Sequence, residues 1–283
     1  IASALGVFVV DAQTFAVTAS RAFQLNLTDL ASKRRFNVAD INADGNDEII
    51  VLTKIASSTL RDQLFVLNQD LTPRASTSER PLGQEFLIGN VDTDDDLEIV
   101  CGNGTVLNAS TLATEVAAGA QFGDHNYVLA NVDGDSQKEV VEVSAGKLYV
   151  FDVDAATSTT INFSADVENL NLFGLNADGD ADDELVVGTL SNQIQIYSIN
   201  KNAATVTLDR TIGTRKADTT VTDITRGNVT DDTADAIVFV SRASNSGANV
   251  CIGSQCVTTG DDGRYLISGL APGAYTATVS RAS

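Results

Sequence analysis

The sequence predicts an all-β chain, a five-bladed β-propeller closed by its own termini and followed by a small β-sandwich-like segment. Three observations predict it. Five acidic segments of nine residues recur at 40–48, 90–98, 131–139, 176–184 and 228–236. Their first positions are spaced by 50, 41, 45 and 52 residues, the length of a four-stranded blade. Each is followed by short β-branched runs rather than by apolar residues at helical spacing, which excludes a helical solenoid of similar period.

Taken in order, Val7-Phe-Val-Val-Asp11 and Phe15-Ala-Val-Thr18 read as two strands with no acidic segment before them. The four repeats after them each read as a strand, an acidic loop and a β-branched strand, then a third strand ending on Asn or Asp and a fourth beyond a turn. Phe65-Val-Leu-Asn68, Thr105-Val-Leu-Asn108, Tyr149-Val-Phe-Asp152 and Ile196-Tyr-Ser-Ile-Asn200 end the third strands. The fifth repeat has its first two strands, around 221–241, and then the pattern stops. One half-blade at each end is what a ring sealed by residues 221–241 and 6–23 requires, and sealing removes exposed sheet edges. A larger ring with blades outside this sequence is the alternative. The propeller is assigned to 1–242 and the C-terminal segment to 243–283.

Position by position, the first loop is Asp40-Ile-Asn-Ala-Asp-Gly-Asn-Asp-Glu48, and the second runs Asn90-Val-Asp-Thr-Asp-Asp-Asp-Leu-Glu98. The third is Asn131-Val-Asp-Gly-Asp-Ser-Gln-Lys-Glu139 and the fourth Asn176-Ala-Asp-Gly-Asp-Ala-Asp-Asp-Glu184. Positions 1, 3 and 5 are Asp or Asn, and position 9 is Glu. Alternate side chains of a tight turn converge, and the carbonyl of position 7 with the carboxylate at 9 completes an oxygen cage. An all-oxygen donor set without His or Cys selects calcium over transition metals. An EF-hand is excluded, because a strand rather than a helix follows and the Glu stands at 9 rather than 12.

These segments resemble the Asp-x-Asp/Asn-x-Asp-Gly-x-x-Asp loops of FG-GAP/VCBS repeats, the blade units of integrin-α-like propellers, over roughly 30–241. The resemblance implies that each loop joins the first two strands of a blade and holds one calcium. The implied cages are Asp40, Asn42, Asp44 and Glu48; Asn90, Asp92, Asp94 and Glu98; Asn131, Asp133, Asp135 and Glu139; and Asn176, Asp178, Asp180 and Glu184. Asn46, Asp96, Gln137 and Asp182 at position 7 add main-chain oxygens. The sequence departs from the family in two ways. Gly fills position 6 only as Gly45, with Asp95, Ser136 and Ala181 elsewhere, where a positive φ would be strained. Glu at 9 is longer than the usual Asp. The fifth loop, with Thr230 and Ala236 at positions 3 and 9, is expected to be weak or empty, so about four calcium sites are expected.

From Ala243 the composition shifts. Val257-Thr-Thr-Gly-Asp-Asp-Gly-Arg-Tyr265 and Gly269-Leu-Ala-Pro-Gly-Ala-Tyr275-Thr-Ala-Thr-Val279 resemble carboxypeptidase-regulatory-like or Cna-B-type sandwich modules. This segment lacks an obvious first strand and is short for an independent sandwich, so either the rest of the module lies outside this sequence or a strand from elsewhere, such as another copy, completes it, the latter a route to filaments. Cys251 and Cys256 are placed to close a disulfide hairpin, and Cys101, ending an apolar run, is expected to be buried and inert.

The chain has 18 Lys and Arg against 38 Asp and Glu, a net charge of −20. Such a surface repels nucleic acid and anionic membranes and favours polyvalent cations or basic partners. No apolar run is long enough to insert in a membrane as a helix. A chain opening on Ile with no Met is expected to be a processed product or fragment. Catalytic constellations are missing from the pattern: His125 is a lone histidine in a polar loop, and no nucleophile elbow or phosphate-cradling loop occurs. The expectation is therefore a secreted or cell-surface, non-catalytic propeller acting in adhesion or as a subunit of an extracellular assembly or filament, with a protein partner or its own copies. A carbohydrate-binding, lectin-like propeller is the alternative, disfavoured by 6% aromatic content and no Trp. A module of a polysaccharide-degrading enzyme ranks third.

Overall fold

A computed structural model describes residues 4–24, 35–55, 61–83, 85–117, 127–165, 167–189, 193–213, 219–227, 236–243, 249–252, 255–258 and 277–280. These residues form strands and turns, with no helix among them. A hairpin comes first, β1 (Ala4–Val10) with β2 (Val17–Gln24). Four sheets of four strands follow in simple sequential order. The first is β3 (Phe36–Ala39), β4 (Glu48–Ile55), β5 (Arg61–Leu67) and β6 (Pro73–Ser76). The second is β7 (Phe86–Gly89), β8 (Glu98–Cys101), β9 (Val106–Asn108) and β10 (Thr114–Val116). The third is β11 (Tyr127–Ala130), β12 (Glu139–Ser144), β13 (Lys147–Asp152) and β14 (Thr157–Asn162). The fourth is β15 (Val167–Leu175), β16 (Glu184–Thr189), β17 (Gln193–Asn200) and β18 (Thr205–Gly213). A second hairpin, β19 (Thr219–Gly227) with β20 (Ala236–Ala243), precedes the C-terminal strands.

Two compact units divide the chain. One comprises Ile1–Ala165, Leu172–Val186 and Ile196–Asp209, and the other Asp166–Asn171, Val187–Gln195 and Arg210–Ser283. All four described acidic loops belong to the first.

In that unit the core lies between successive sheets, which explains why the second strands read as unbroken apolar runs. Ile49 and Val51 of β4, with Leu67 and Leu71, pack against Val7, Val9 and Ala19 of the first hairpin. Their neighbours Ile50 and Leu52 point the other way, with Leu64 and Val66, onto Phe86, Ile99, Cys101 and Leu107 of the second sheet. Val100 and Val106 turn from there to Tyr127, Val140 and Phe151 of the third. A strand covered on both faces needs apolar residues at every position rather than at alternate ones. Cys101 is fully buried, and burial pushes its thiol up to about 12, so it is an inert core residue. The first strands approach one another most closely. A Cβ on Gly89 would stand 2.8 Å from Leu129 Cδ1, and one on Gly174 2.7 Å from Ala130 Cβ.

A recurring turn joins third to fourth strands. The carboxylate or amide oxygen of Asn108, Asp152 and Asn200 accepts the N–H of Thr111, Ala155 and Ala203, and the next residue, Leu112, Ala156 or Ala204, has positive φ. The first hairpin has the same turn, with Asp11 Oδ1 accepting from Thr14 N at 2.6 Å and Phe15 at φ +56°. It is thus built like strands three and four of a repeat.

The sealing blade expected from 221–241 with 6–23 is not assembled as one sheet. The two hairpins stand as separate two-stranded sheets, and among the described residues no strand pairing closes the sheets into a ring. Short connections set every partner within a four-stranded sheet, whereas sealing would pair opposite ends of the chain with no local turn to fix the register.

The C-terminal strands also differ from expectation. β21 (Asn249–Ile252) is central, flanked by β22 (Gln255–Thr258) and β23 (Ala277–Ser280), so a first strand does exist, in an Asn-Val-Cys-Ile run too short to stand out. Cys251 faces Cys256 across its hairpin and the two are disulfide-bonded. Residues 259–276, which include Tyr265, Leu270 and Tyr275, lie outside the described residues.

Candidate metal centres

Each described acidic loop joins the first strand of its sheet to the second: 40–47 between β3 and β4, 90–97 between β7 and β8, 131–138 between β11 and β12, and 176–183 between β15 and β16. Local chemistry folds them alike. The position-5 carboxylates of Asp44, Asp94, Asp135 and Asp180 accept the N–H of position 7 at 2.8–2.9 Å. In the last three loops the position-1 Asn turns its amide onto the carbonyl of position 5, Asn90 to Asp94 at 2.9 Å and likewise Asn131 to Asp135 and Asn176 to Asp180. Its oxygen is thereby directed back into the loop.

Glu at position 9 has a double use that an Asp could not reach. One oxygen braces the loop by accepting the N–H of position 2: Ile41 to Glu48, Val91 to Glu98, Val132 to Glu139 and Ala177 to Glu184, at 3.3, 2.8, 2.8 and 2.7 Å. All four glutamates are 0–3% exposed. The second oxygen distinguishes the loops. In the first, Glu48 Oε1 accepts from Arg74 Nη1 at 3.1 Å and Asn42 Nδ2 at 2.9 Å. In the third, Glu139 Oε1 lies 3.6 Å from Lys201 Nζ. In the second, Glu98 Oε1 and Asn90 Oδ1 are buried without a hydrogen-bond partner.

Three groups of carboxylates have oxygens within 4.8 Å of one another: Asp92, Asp94 and Glu115; Asp133, Glu139 and Asp152; and Asp178, Asp180 and Glu184. Asp40, Asp44 and Glu48 do not form such a group; Arg74 takes the glutamate instead. Asp135 is absent from the third group. At position 7, Asn46 Nδ2 donates to Asp44 of its own loop, and Asp96 Oδ2 accepts from Asn108 Nδ2. Asp182 of the fourth loop would clash with a Cβ on Gly134 of the third, and burial, then the charges of Asp180 and Asp133, raises its pKa. The fifth loop and His125 lie outside the described residues.

Burial, then the charges of Asp92, Glu115 and Asp94, pushes Glu98 up to about 8, with the Val91 N–H working against the shift. Burial raises Glu139 to about 7 and also raises Glu184 and Glu115. Crowded carboxylates with raised pKa values and all-oxygen donors suit a hard divalent cation. The second loop fits best: Asp92, Asp94 and Glu115 converge, Glu98 stands outside that group but is raised by their charges, and no Lys or Arg among the described residues pairs with them.

The strained position is also elsewhere than expected. Asp95, Ser136 and Ala181 at position 6 do not have positive φ; position 4 does in three loops, as Ala43, Gly134 and Gly179, but not as Thr93 in the second, and only the first loop repeats it at Gly45. Besides Arg74, three participants escaped the sequence reading. Asp152 closes a third strand, Glu115 lies on the fourth strand β10, and Lys201 follows β17. Their registers within the repeat were readable, but nothing in the sequence said that those turns stand beside the loops.

The loops are linked in series. The position-1 carbonyl of Asn90 accepts from Lys138 N at 3.0 Å, and that of Asn131 from Asp183 N, each donor being position 8 of the next loop.

No family model matches the chain, and no curated protein does. Among solved structures, the V. cholerae biofilm matrix protein Bap1 is similar over 99% of this chain at 14% identity and a TM-score of 0.47. The chain spans 55% of that protein's length.

Proposed function

We propose that this chain is a calcium-stabilised β-propeller module of the FG-GAP/VCBS type, its four-stranded sheets serving as blades and its acidic loops as cation sites. The observation that carries the reading is Glu98: a fully buried carboxylate with one oxygen unpartnered, near enough to Asp92, Glu115 and Asp94 for their charges to raise its pKa. A buried unpaired carboxylate surrounded by like charge destabilises the fold, and a bound divalent cation removes that cost. The role is structural. The loop oxygens brace backbone N–H groups and link successive sheets, so the ions pin the fold and turn over no substrate. The apolar outer face of the first hairpin, with Phe8, Val10, Phe15 and Val17 exposed, favours its burial in a fifth, ring-closing blade.

The acidic surface and the segment 243–283 favour a role in adhesion or extracellular assembly, secreted or at the cell surface. β22 and β23, paired on one side only among the described residues, are where a strand from a partner or a second copy would add. Thermal unfolding in calcium and in excess chelator, with particle sizing under both conditions, tests the reading. A large loss of stability on chelation is expected; no shift would reduce the loops to ordinary turns. A size that is independent of concentration would remove the strand-addition part alone.

A further inference from the structure

We propose that the third acidic loop carries its own cation: the Lys201 ammonium stands in for the divalent ion, and the site takes calcium only when that lysine is removed. The inference rests on the reading of the acidic loops as calcium sites. Lys201 follows the last residue of β17 in the fourth sheet, yet its head group lies in the loop of the third. Its Nζ hydrogen-bonds Asp133, lies 2.7 Å from Asp152 Oδ2 and 3.6 Å from Glu139 Oε1. The side chain is only 10% exposed. Asp133, Glu139 and Asp152 are the three carboxylates whose oxygens converge there, and positions 3 and 9 of the loop are among them. Of the ammonium's three donors, two are taken by Asp133 and Asp152, and Glu139 adds a charge contact. Burial works against the lysine's charge, but Asp133, Asp152 and Glu139 outweigh it and hold its pKa above the usual range. Asp152 is lowered in turn by Lys201, against the effect of burial.

The repeat shows that this is a substitution at a defined position. The residue after the third-strand Asn or Asp belongs to the core shared with the acidic loop of the preceding sheet. Ala109 there shares a core cluster with Ile41 of the first loop, and Val153 one with Val91 of the second. Lys201 is the corresponding residue for the third loop. The second and fourth groups, Asp92 with Asp94 and Glu115, and Asp178 with Asp180 and Glu184, have no such ion pair among the described residues. The consequence is a fold whose loops answer calcium unequally: the junction of third and fourth sheets is fixed without metal, while its neighbours depend on it.

The test is a count of bound calcium, by equilibrium dialysis with metal analysis, on wild type, Lys201→Val and Lys201→Val/Asp133→Asn. Lys201→Val installs the residue of the preceding repeat. It is expected to bind one more calcium per chain than wild type, and the double variant to lose that ion. In chelator Lys201→Val should melt below wild type and recover in calcium; folding only in calcium is the same result. Lys201→Gln is read in the same way, and Lys201→Arg should keep the wild-type count. A Lys201→Val protein that binds as many ions as a calcium-binding wild type overturns the inference and leaves the function standing. A wild type that binds none, beside a variant that binds one, does the reverse. Should neither bind calcium, both readings fall.

Discussion

Replacing Glu98 by Gln isolates the buried carboxylate on which the metal reading depends. Without a cation, the folded state retains at Glu98 a proton that the unfolded chain releases, because the pKa rises from 4.5 to about 8 on folding. Stability from this group is therefore fully present below pH 4.5 and is lost as pH rises towards 8. At pH 7 the ceiling on that loss is about 3 kcal/mol, at about 1.4 kcal/mol per unit. The outer side of the loop, residues 93–96, is exposed to solvent, and screening there reduces the figure to about 2 kcal/mol. That corresponds to a shift of about 4–8 °C in melting temperature for a domain of this size. Calcium at 100 times its Kd would contribute about 2.7 kcal/mol, enough to cancel the loss. The assay is thermal unfolding at pH 5, 6, 7 and 8, in chelator and in calcium, on wild type and Glu98→Gln. In chelator, wild type should fall with pH more steeply than the variant, and calcium should restore wild type most at pH 8. General repulsion from a net charge of −20 has the same sign, so the difference between the two proteins is the decisive quantity. Parallel pH profiles, or equal calcium rescue of both, would refute the reasoning.

Further outcomes follow from the same geometry. Glu115→Gln, which removes the fourth-strand carboxylate beside Asp92 and Asp94, should weaken calcium binding about tenfold in titration while leaving the chelator-treated protein as stable or more so. Gly174→Val should destabilise by at least about 2 kcal/mol in denaturant unfolding, because even a Cβ would come within 2.7 Å of Ala130 Cβ. Leu107→Ala, a fully buried side chain between the first and second sheets, should cost about 2–5 kcal/mol by the same measurement. Cys101 should resist thiol reagents until the protein unfolds, since it is fully buried with its thiol pushed up to about 12.

The sequence by itself determined the all-β class, the period, the position of each acidic loop ahead of a second strand, and the burial of Cys101. These follow from local rules. Strand periodicity, Asx turns such as Asp152 with Ala155, and the position-5 to position-7 hydrogen bonds each involve residues a few positions apart, so their pattern is written along the chain. Glu98 illustrates the limit: its register named it a candidate ligand, but only packing buried it and left Oε1 without a partner. The tertiary structure alone decided which loop is answered by a cation from the chain and which is not. Lys201 and Asp152 are 49 residues apart, and Arg74 and Glu48 are 26 apart, so each meeting depends on how a turn of one strand reaches past another. It also decided that the two hairpins stand as separate sheets and that in three of the four loops the left-handed residue sits at position 4. A long charged side chain carries no local trace of its partner, because its reach spans several residues of a neighbouring strand and electrostatic attraction has no sequence period.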